Sequence, residues 1–269
     1  MNHVVTIAVL VVTIATPFLF SAFVFRKRRL RFFLPDILVG IIVAYFAQII
    51  LMALLINAFN ALLPSVMSNA VGQQIVYVAS SAISFLIGYY LIFVFGYKRQ
   101  FSEGRVSRIA VGTLFTKVLG DTLNAALSNI SVAQHLDSGT LSDYLAQVSS
   151  SMPGINVDAL TAAYSSYSIP QFAMPAILTL LAMQTVYLFL ILLGEHKPVW
   201  QQVVLVFAYS FFYYYTLSFP VPTSVVIGAT ALLVVEFYMT YVLMGAQIDR
   251  VQKERNGGVK SVSNAGEPE

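Results

Sequence analysis

The chain has 269 residues, 58% of them hydrophobic and only 10% charged, with a net charge of +3 and no cysteine. That composition excludes an ordinary soluble domain, and the missing cysteine excludes disulfides, thiolate metal sites and a cysteine nucleophile. The small positive charge is not a nucleic-acid signal, because the cations cluster between apolar runs, where anionic lipid headgroups are the expected partner.

Seven apolar runs follow one another, at roughly 4–25, 36–62, 75–97, 107–130, 171–194, 200–219 and 223–246. A bilayer core of about 30 Å needs roughly 20 apolar residues per helix, and each run comes near that length. The runs are continuous, whereas barrel strands alternate over about 10 residues, so a barrel is excluded. The first run precedes its basic cluster, the reverse of a secretory signal, and reads as a spanning helix.

Charge orients the bundle. Of 15 Lys and Arg residues, five follow the first run (Arg26, Lys27, Arg28, Arg29, Arg31) and four the third (Lys98, Arg99, Arg105, Arg108). Lys197 follows the fifth, and Arg250, Lys253, Arg255 and Lys260 lie in the tail. The even-numbered connections carry none, so the positive-inside rule puts the start outside and the tail in the cytoplasm. An odd number of spans is needed to keep both the first turn and the tail on one side. The expected fold is an all-α polytopic bundle over residues 1–250 with a disordered cytoplasmic tail at 251–269. The lack of cysteine and the compact loops fit a bacterial plasma membrane.

The fourth run carries ionisable groups, which are costly in hydrocarbon. Lys117 and Asp121 lie four apart, where opposite charges can pair. With Thr113, Asn124 and Ser128 they trace one face about 22 Å long at 1.5 Å per residue. Such a face should point at other helices or a water-filled cavity. Glu236 in the seventh run is the third buried charge, about 20 Å from Asp249 and so near the depth of Lys117 and Asp121. If the fourth and seventh runs are neighbours, one cation serves two carboxylates. The cluster then reads as a substrate or proton site, or as a structural ion pair that fixes helix register.

Residues 131–170 contain three acids and no Lys or Arg, which places the segment outside. Thr140 precedes Asp143 by three, and Leu141, Tyr144, Leu145 and Val148 recur at helical spacing. A short helix resting its apolar side on the membrane surface is expected there, with a second short turn over 158–164. The segment serves as a lid or docking surface for a partner, or simply as a connector. In the fifth run Gln184 and Thr185, and in the second Gln48, suit hydrogen bonds between helices. Tyr213, Tyr214 and Tyr215 suit an aromatic belt at the headgroups. His3, His135 and His196 are too scattered for a metal site. No zincin pair, nucleophile elbow or phosphate loop appears, so neither a cofactor nor a metal is expected.

The basic turn after the first run, the stretch from Ile87 to Lys98 (IGYYLIFVFGYK), Leu127–Ser131 (LSNIS) and Asp137–Leu141 (DSGTL) resemble the YhfC-type membrane proteins over roughly residues 15–215. That family is assigned as intramembrane peptidases distantly related to the glutamic, CAAX-processing type. The resemblance implies a Glu-Glu pair and an Arg on the third span, where this chain has Phe85, Leu86 and Tyr89. It implies a His-to-Glu motif on the fourth span, where the chain reads Phe115–Leu119 (FTKVL), and a His and an acid on the sixth, where Tyr209 and Tyr213 stand. Apolar and phenolic groups cannot replace carboxylate or imidazole as metal ligands or water-activating bases. No catalytic residue carries over.

The expectation is a non-catalytic membrane scaffold or binding subunit for another membrane protein, a peptide or a lipid-like ligand. The alternative is a small-solute transporter using Lys117, Asp121 and Glu236. A third reading is an active protease with an unrecognised site.

Overall fold

A computed structural model describes residues 2–27, 34–96, 103–150, 157–195, 197–217 and 221–263, and among them every regular element is helical. The basic residues Arg28, Arg29, Arg31, Lys98 and Arg99 lie outside the described residues.

Helix α1 is Asn2–Lys27, and α2 is Leu34–Tyr45, continued through a π turn, Phe46–Leu51, into α3, Met52–Leu62. The short α4, Pro64–Met67, leads to α5, Ala70–Leu91, which ends in a π turn at Ile92–Gly96. Asn69 starts α5 by accepting the backbone N–H groups of Val71 at 2.8 Å and Gly72 at 3.2 Å. The fourth run is α6, Glu103–Lys117, a π turn Val118–Thr122, and α7, Leu123–Ser138. Then come α8, Leu141–Ser150, and α9, Val157–Ser165, followed by α10, Ile169–Gly194, α11, Val199–Leu217, and α12, Thr223–Ser263.

Among the described residues five helical stretches are long and apolar enough to cross a membrane: Asn2–Ala22, Leu34–Leu62, Val71–Phe95, Ile169–Gly194 and Thr223–Leu243. The fourth and sixth apolar runs fold as helices but are not among the five. In the fourth, Arg105, Arg108, Lys117 and Asp121 dilute the apolar character.

Helix α10 forms the axis. It packs against α1, α6, α7, α11 and α12, and is buried along nearly its whole length. A helix apolar on every side belongs in the centre of a bundle, which its sequence, rich in Leu, Ile and Phe, satisfies. Around it α2 packs on α6, α1 on α7 and α5 on α11. The closest of these crossings is α2 on α6. A β-carbon on Gly40 would be driven into the Ile109 carbonyl, and one on Gly112 into the Ile37 carbonyl. Small residues let the two backbones meet, and side-chain bonds then pin the crossing. Asp36, buried at the start of α2, accepts from Arg108 Nε at 2.8 Å, with Arg105 Nε 3.7 Å away.

Helices α8 and α9 form a cap on one end of the bundle. Gly139, with φ of +72°, closes α7, where the Thr140 N–H reaches the His135 carbonyl at 2.9 Å and the Gly139 N–H the Leu136 carbonyl at 3.3 Å. The chain then reverses into α8. The apolar side of α8 was expected on the membrane surface; instead Leu141 and Leu145 are buried against Val132, Ala133, Tyr164 and Phe172. Protein groups bury that face more completely than an interface would, because α7, α9 and the start of α10 converge beneath it. The connector reading of 131–170 also changes at its start, where residues through Ser138 are still helix α7. At the same end His3 Nδ1 lies 2.6 Å from Asp137 Oδ2, clasping the start of α1 to the end of α7.

The tail from Gln252, expected disordered, is helical as far as Ser263. Gln252, Lys253, Glu254 and Arg255 are good helix formers that extend an existing helix, so no nucleation cost opposes them. Residues 264–269 lie outside the described residues.

Candidate functional site

The polar face expected along 113, 117, 121, 124 and 128 does not survive as one stripe. Thr113 and Lys117 are buried, but Asn124 and Ser128 are exposed. The π turn at Val118–Thr122 inserts one extra residue between them. One residue is about 100° of helix rotation, so beyond the turn a different set faces inward. Thr122, Ala126, Asn129, Val132 and Ala133 are the buried residues there. The side chain of Asp121 lies outside the described residues, and with it the expected Lys117–Asp121 pairing.

Lys117 closes α6 and points into an aromatic box. Its Nζ sits 4.1 Å from the centre of the Tyr213 ring and 5.7 Å from that of Tyr209, both on α11. Attraction of an ammonium to a ring face reaches about 2 kcal/mol or more when water is excluded. Tyr209 and Tyr213 are themselves buried, so the expected headgroup belt does not hold for Tyr213. Tyr209 and Tyr213 lie four apart and so share one face of α11, which packs against α5 and α10.

Helix α5 completes the box. Phe85 packs 4.5 Å from Tyr89 and 6.4 Å from Tyr209, centre to centre, and edge-on to Phe189 of α10 at 5.2 Å. The Tyr89 hydroxyl hydrogen-bonds the Thr113 hydroxyl, one turn before Lys117. Ser84 donates to the Ser81 carbonyl at 2.9 Å, and Ser210 reaches the Ser81 hydroxyl at 3.3 Å. The void beside Lys117, lined also by Ala44 and Ala47, is about 10 Å³. That is about the least space that one water requires. The box is closed.

Glu236 has different neighbours. It is buried on α12 and accepts the Thr185 hydroxyl of α10, at 2.8 Å to one carboxyl oxygen and 3.0 Å to the other. Gln184, one residue earlier, donates to Thr240 and to the Glu236 backbone carbonyl at 3.3 Å. Among the described residues the Glu236 carboxyl has no ion-pair partner. Helix α10 packs against both α6 and α12, so it supplies the partner that Lys117 was expected to supply. Depth along a helix axis, from which the cluster was expected, says nothing of which face each residue takes.

Sequence reasoning missed the Asp36 clamp. Asp36 stands at the edge of its run, where an acid reads as a solvated helix start, and its partners lie 69 and 72 positions away. It also missed Gln171, which accepts the Ser168 backbone N–H at 2.9 Å and donates to Thr223 at 2.7 Å, tying the start of α10 to that of α12. Gln48 and His196 have side chains outside the described residues. Among the described residues no three of His, Cys, Asp and Glu gather as a metal site would require.

No family model, no curated protein and no solved structure matches the chain.

Proposed function

We propose that the chain is a non-catalytic multi-pass membrane protein built on the bundle of the YhfC-type peptidases. It would bind or scaffold another membrane protein, a peptide or a lipid-like ligand. The start of the chain and the cap of α8 and α9 lie outside and the end of α12 in the cytoplasm, with seven crossings. The observation that supports the reading is a convergence. Phe85, Tyr89, Tyr209 and Tyr213 stand where the resemblance implies a Glu, an Arg, a His and an acid, Lys117 lies within its fourth-span motif, and the five meet at one buried point. Those positions share a site in space, as catalytic groups would, but they supply rings and an amine. A ring face can hold a cation, yet it cannot deprotonate water or bind a divalent metal as a carboxylate does.

The closed box weighs against transport, since a solute path needs space beside Lys117 that a void of about 10 Å³ does not offer. The exposed acids Asp143 and Asp158 on the cap are the surface offered to a partner.

The test is full-length protein in nanodiscs with a panel of membrane-spanning peptides, read for binding and for cleavage together. Binding without cleavage is expected, weakened by Asp143→Lys with Asp158→Lys and tolerant of Asp121→Asn and Glu236→Gln. A cleaved product would establish a protease instead. Loss of solute uptake in vesicles on Asp121→Asn or Glu236→Gln would establish a transporter.

A further inference from the structure

At the turn from α10 to α11 the surface holds an open groove of about 280 Å³, near the lower end of pockets that take small ligands. Lys197 and Gln201 form its polar rim, and Leu192, Met239, Val242 and Leu243 its apolar floor. The polar and apolar parts meet at a defined height. The apolar stretch of α10 ends at Gly194 and the apolar run of α12 at about 246, so two separate helices come to the end of their apolar length beside this groove. Tyr238, largely exposed, also lines it, as amphipathic rings do at the headgroup level.

The rim is held firmly. The Lys197 N–H donates to the Leu192 carbonyl at 3.0 Å, and the Lys197 carbonyl accepts from Gln202 Nε2 at 3.1 Å. The ammonium lies 3.5 Å from Glu195, longer than the 2.7–2.9 Å, or about that, of a tight charged hydrogen bond. Lysine carries three donors, and this side chain is the more exposed of the two, so donors remain for a ligand.

We propose that this groove binds one anionic phospholipid. The phosphate would sit on the Lys197 ammonium and the Gln201 amide, with an acyl chain laid along Leu192, Met239, Val242 and Leu243. Basic pockets between spanning helices at a headgroup layer suit this chemistry, because the cation meets the phosphate where the apolar floor meets the chain. The inference needs α10 and α12 to cross a bilayer, but it does not need the scaffold reading or either sidedness.

The test is native mass spectrometry of the full-length protein in detergent, titrated with phosphatidylglycerol or phosphatidylcholine. Retention of one phosphatidylglycerol in preference to phosphatidylcholine is expected. Lys197→Gln should weaken it about fivefold, the weight of one cation at an anionic surface. Glu195→Gln should strengthen it by removing the competing charge. Val242→Trp, which fills the groove without changing charge, should also weaken retention, an effect that a general basic surface would not show. Equal binding of both lipids, or retention unchanged by both Lys197→Gln and Val242→Trp, would overturn the proposal. So would Val242→Cys cross-linking to a second copy of the chain in place of lipid. Thermal unfolding of each variant without added lipid separates loss of the site from loss of the fold.

Discussion

The Glu236 carboxyl is held by one hydroxyl, that of Thr185, in a part of the bundle that water does not reach. Removing only the donor leaves a buried acceptor unsatisfied, which costs about 1–3 kcal/mol, whereas removing both partners leaves nothing unsatisfied. Thr185→Val is therefore expected to destabilise by that amount, and the double variant Thr185→Val, Glu236→Leu to recover most of the loss. Unfolding in a mixed-detergent titration measures both, and a double variant worse than the single would show that Glu236 has a second role. At Lys117 the same logic applies to a ring. Tyr213→Phe keeps a face for the ammonium at 4.1 Å and should change stability little, while Tyr213→Leu removes it and should cost about 2 kcal/mol. Equal loss in the two variants would assign the stabilisation to the Tyr213 hydroxyl. Neither partner was legible in the sequence. A buried charge announces its cost by its position in an apolar run, but its neighbour is chosen by helix rotation and packing order, which hydropathy does not encode.

Whole helices were far more legible than their faces. Continuous apolar length and charge punctuation placed the helical runs, because both are properties of the local sequence, but not every end: the fourth, expected to stop at 130, runs to Ser138, and the seventh, expected to stop at 246, runs to Ser263. The π turn at Val118–Thr122 was not legible, since an inserted residue leaves composition untouched and only shifts the phase. Its effect can be isolated at Gly120, where a β-carbon would meet nothing within 4 Å. Gly120→Ala should be neutral or stabilising by up to about 1 kcal/mol, the ordinary helix preference for alanine. Deleting Gly120 removes one residue, which cancels the one that the turn inserts, so the segment should run on as a regular helix with Ala126, Asn129 and Ala133 still facing inward. Hydrogen exchange over residues 123–138 reads the outcome, and protection lost on the deletion would show that α7 needs the turn itself and not only the phase it sets. The α2–α6 crossing gives the opposite sign for the same substitution. Gly40→Ala gains helix preference but forces a carbon into the Ile109 backbone, so a net loss of about 1–3 kcal/mol is expected. A stabilising Gly40→Ala would mean that the two backbones do not approach this closely.

At the scale of the molecule, two polar clasps mark the two ends of the bundle. His3 and Asp137 join the start of α1 to the end of α7, next to the cap, and Asp36 with Arg105 and Arg108 joins the start of α2 to α6 at the far end. Since α1 begins at the cap and α2 begins opposite it, the first helix traverses the bundle, as a spanning helix must. The cations sort along this axis in the way the positive-inside rule requires: Arg105, Arg108 and Lys197 lie at the end away from the cap, and the cap carries Asp137, Asp143 and Asp158. Moving a cation across the apolar layer is costly, so this asymmetry supports the proposed orientation independently of any function. The absence of cysteine makes the proposed orientation directly measurable. A single Ser142→Cys, on the exposed side of α8, should react with a membrane-impermeant maleimide in intact cells. Lys260→Cys should react only after the membrane is opened. An odd number of crossings requires the two to differ. If both label from outside, or neither does, the chain crosses an even number of times between them, and the sixth helical run does not span.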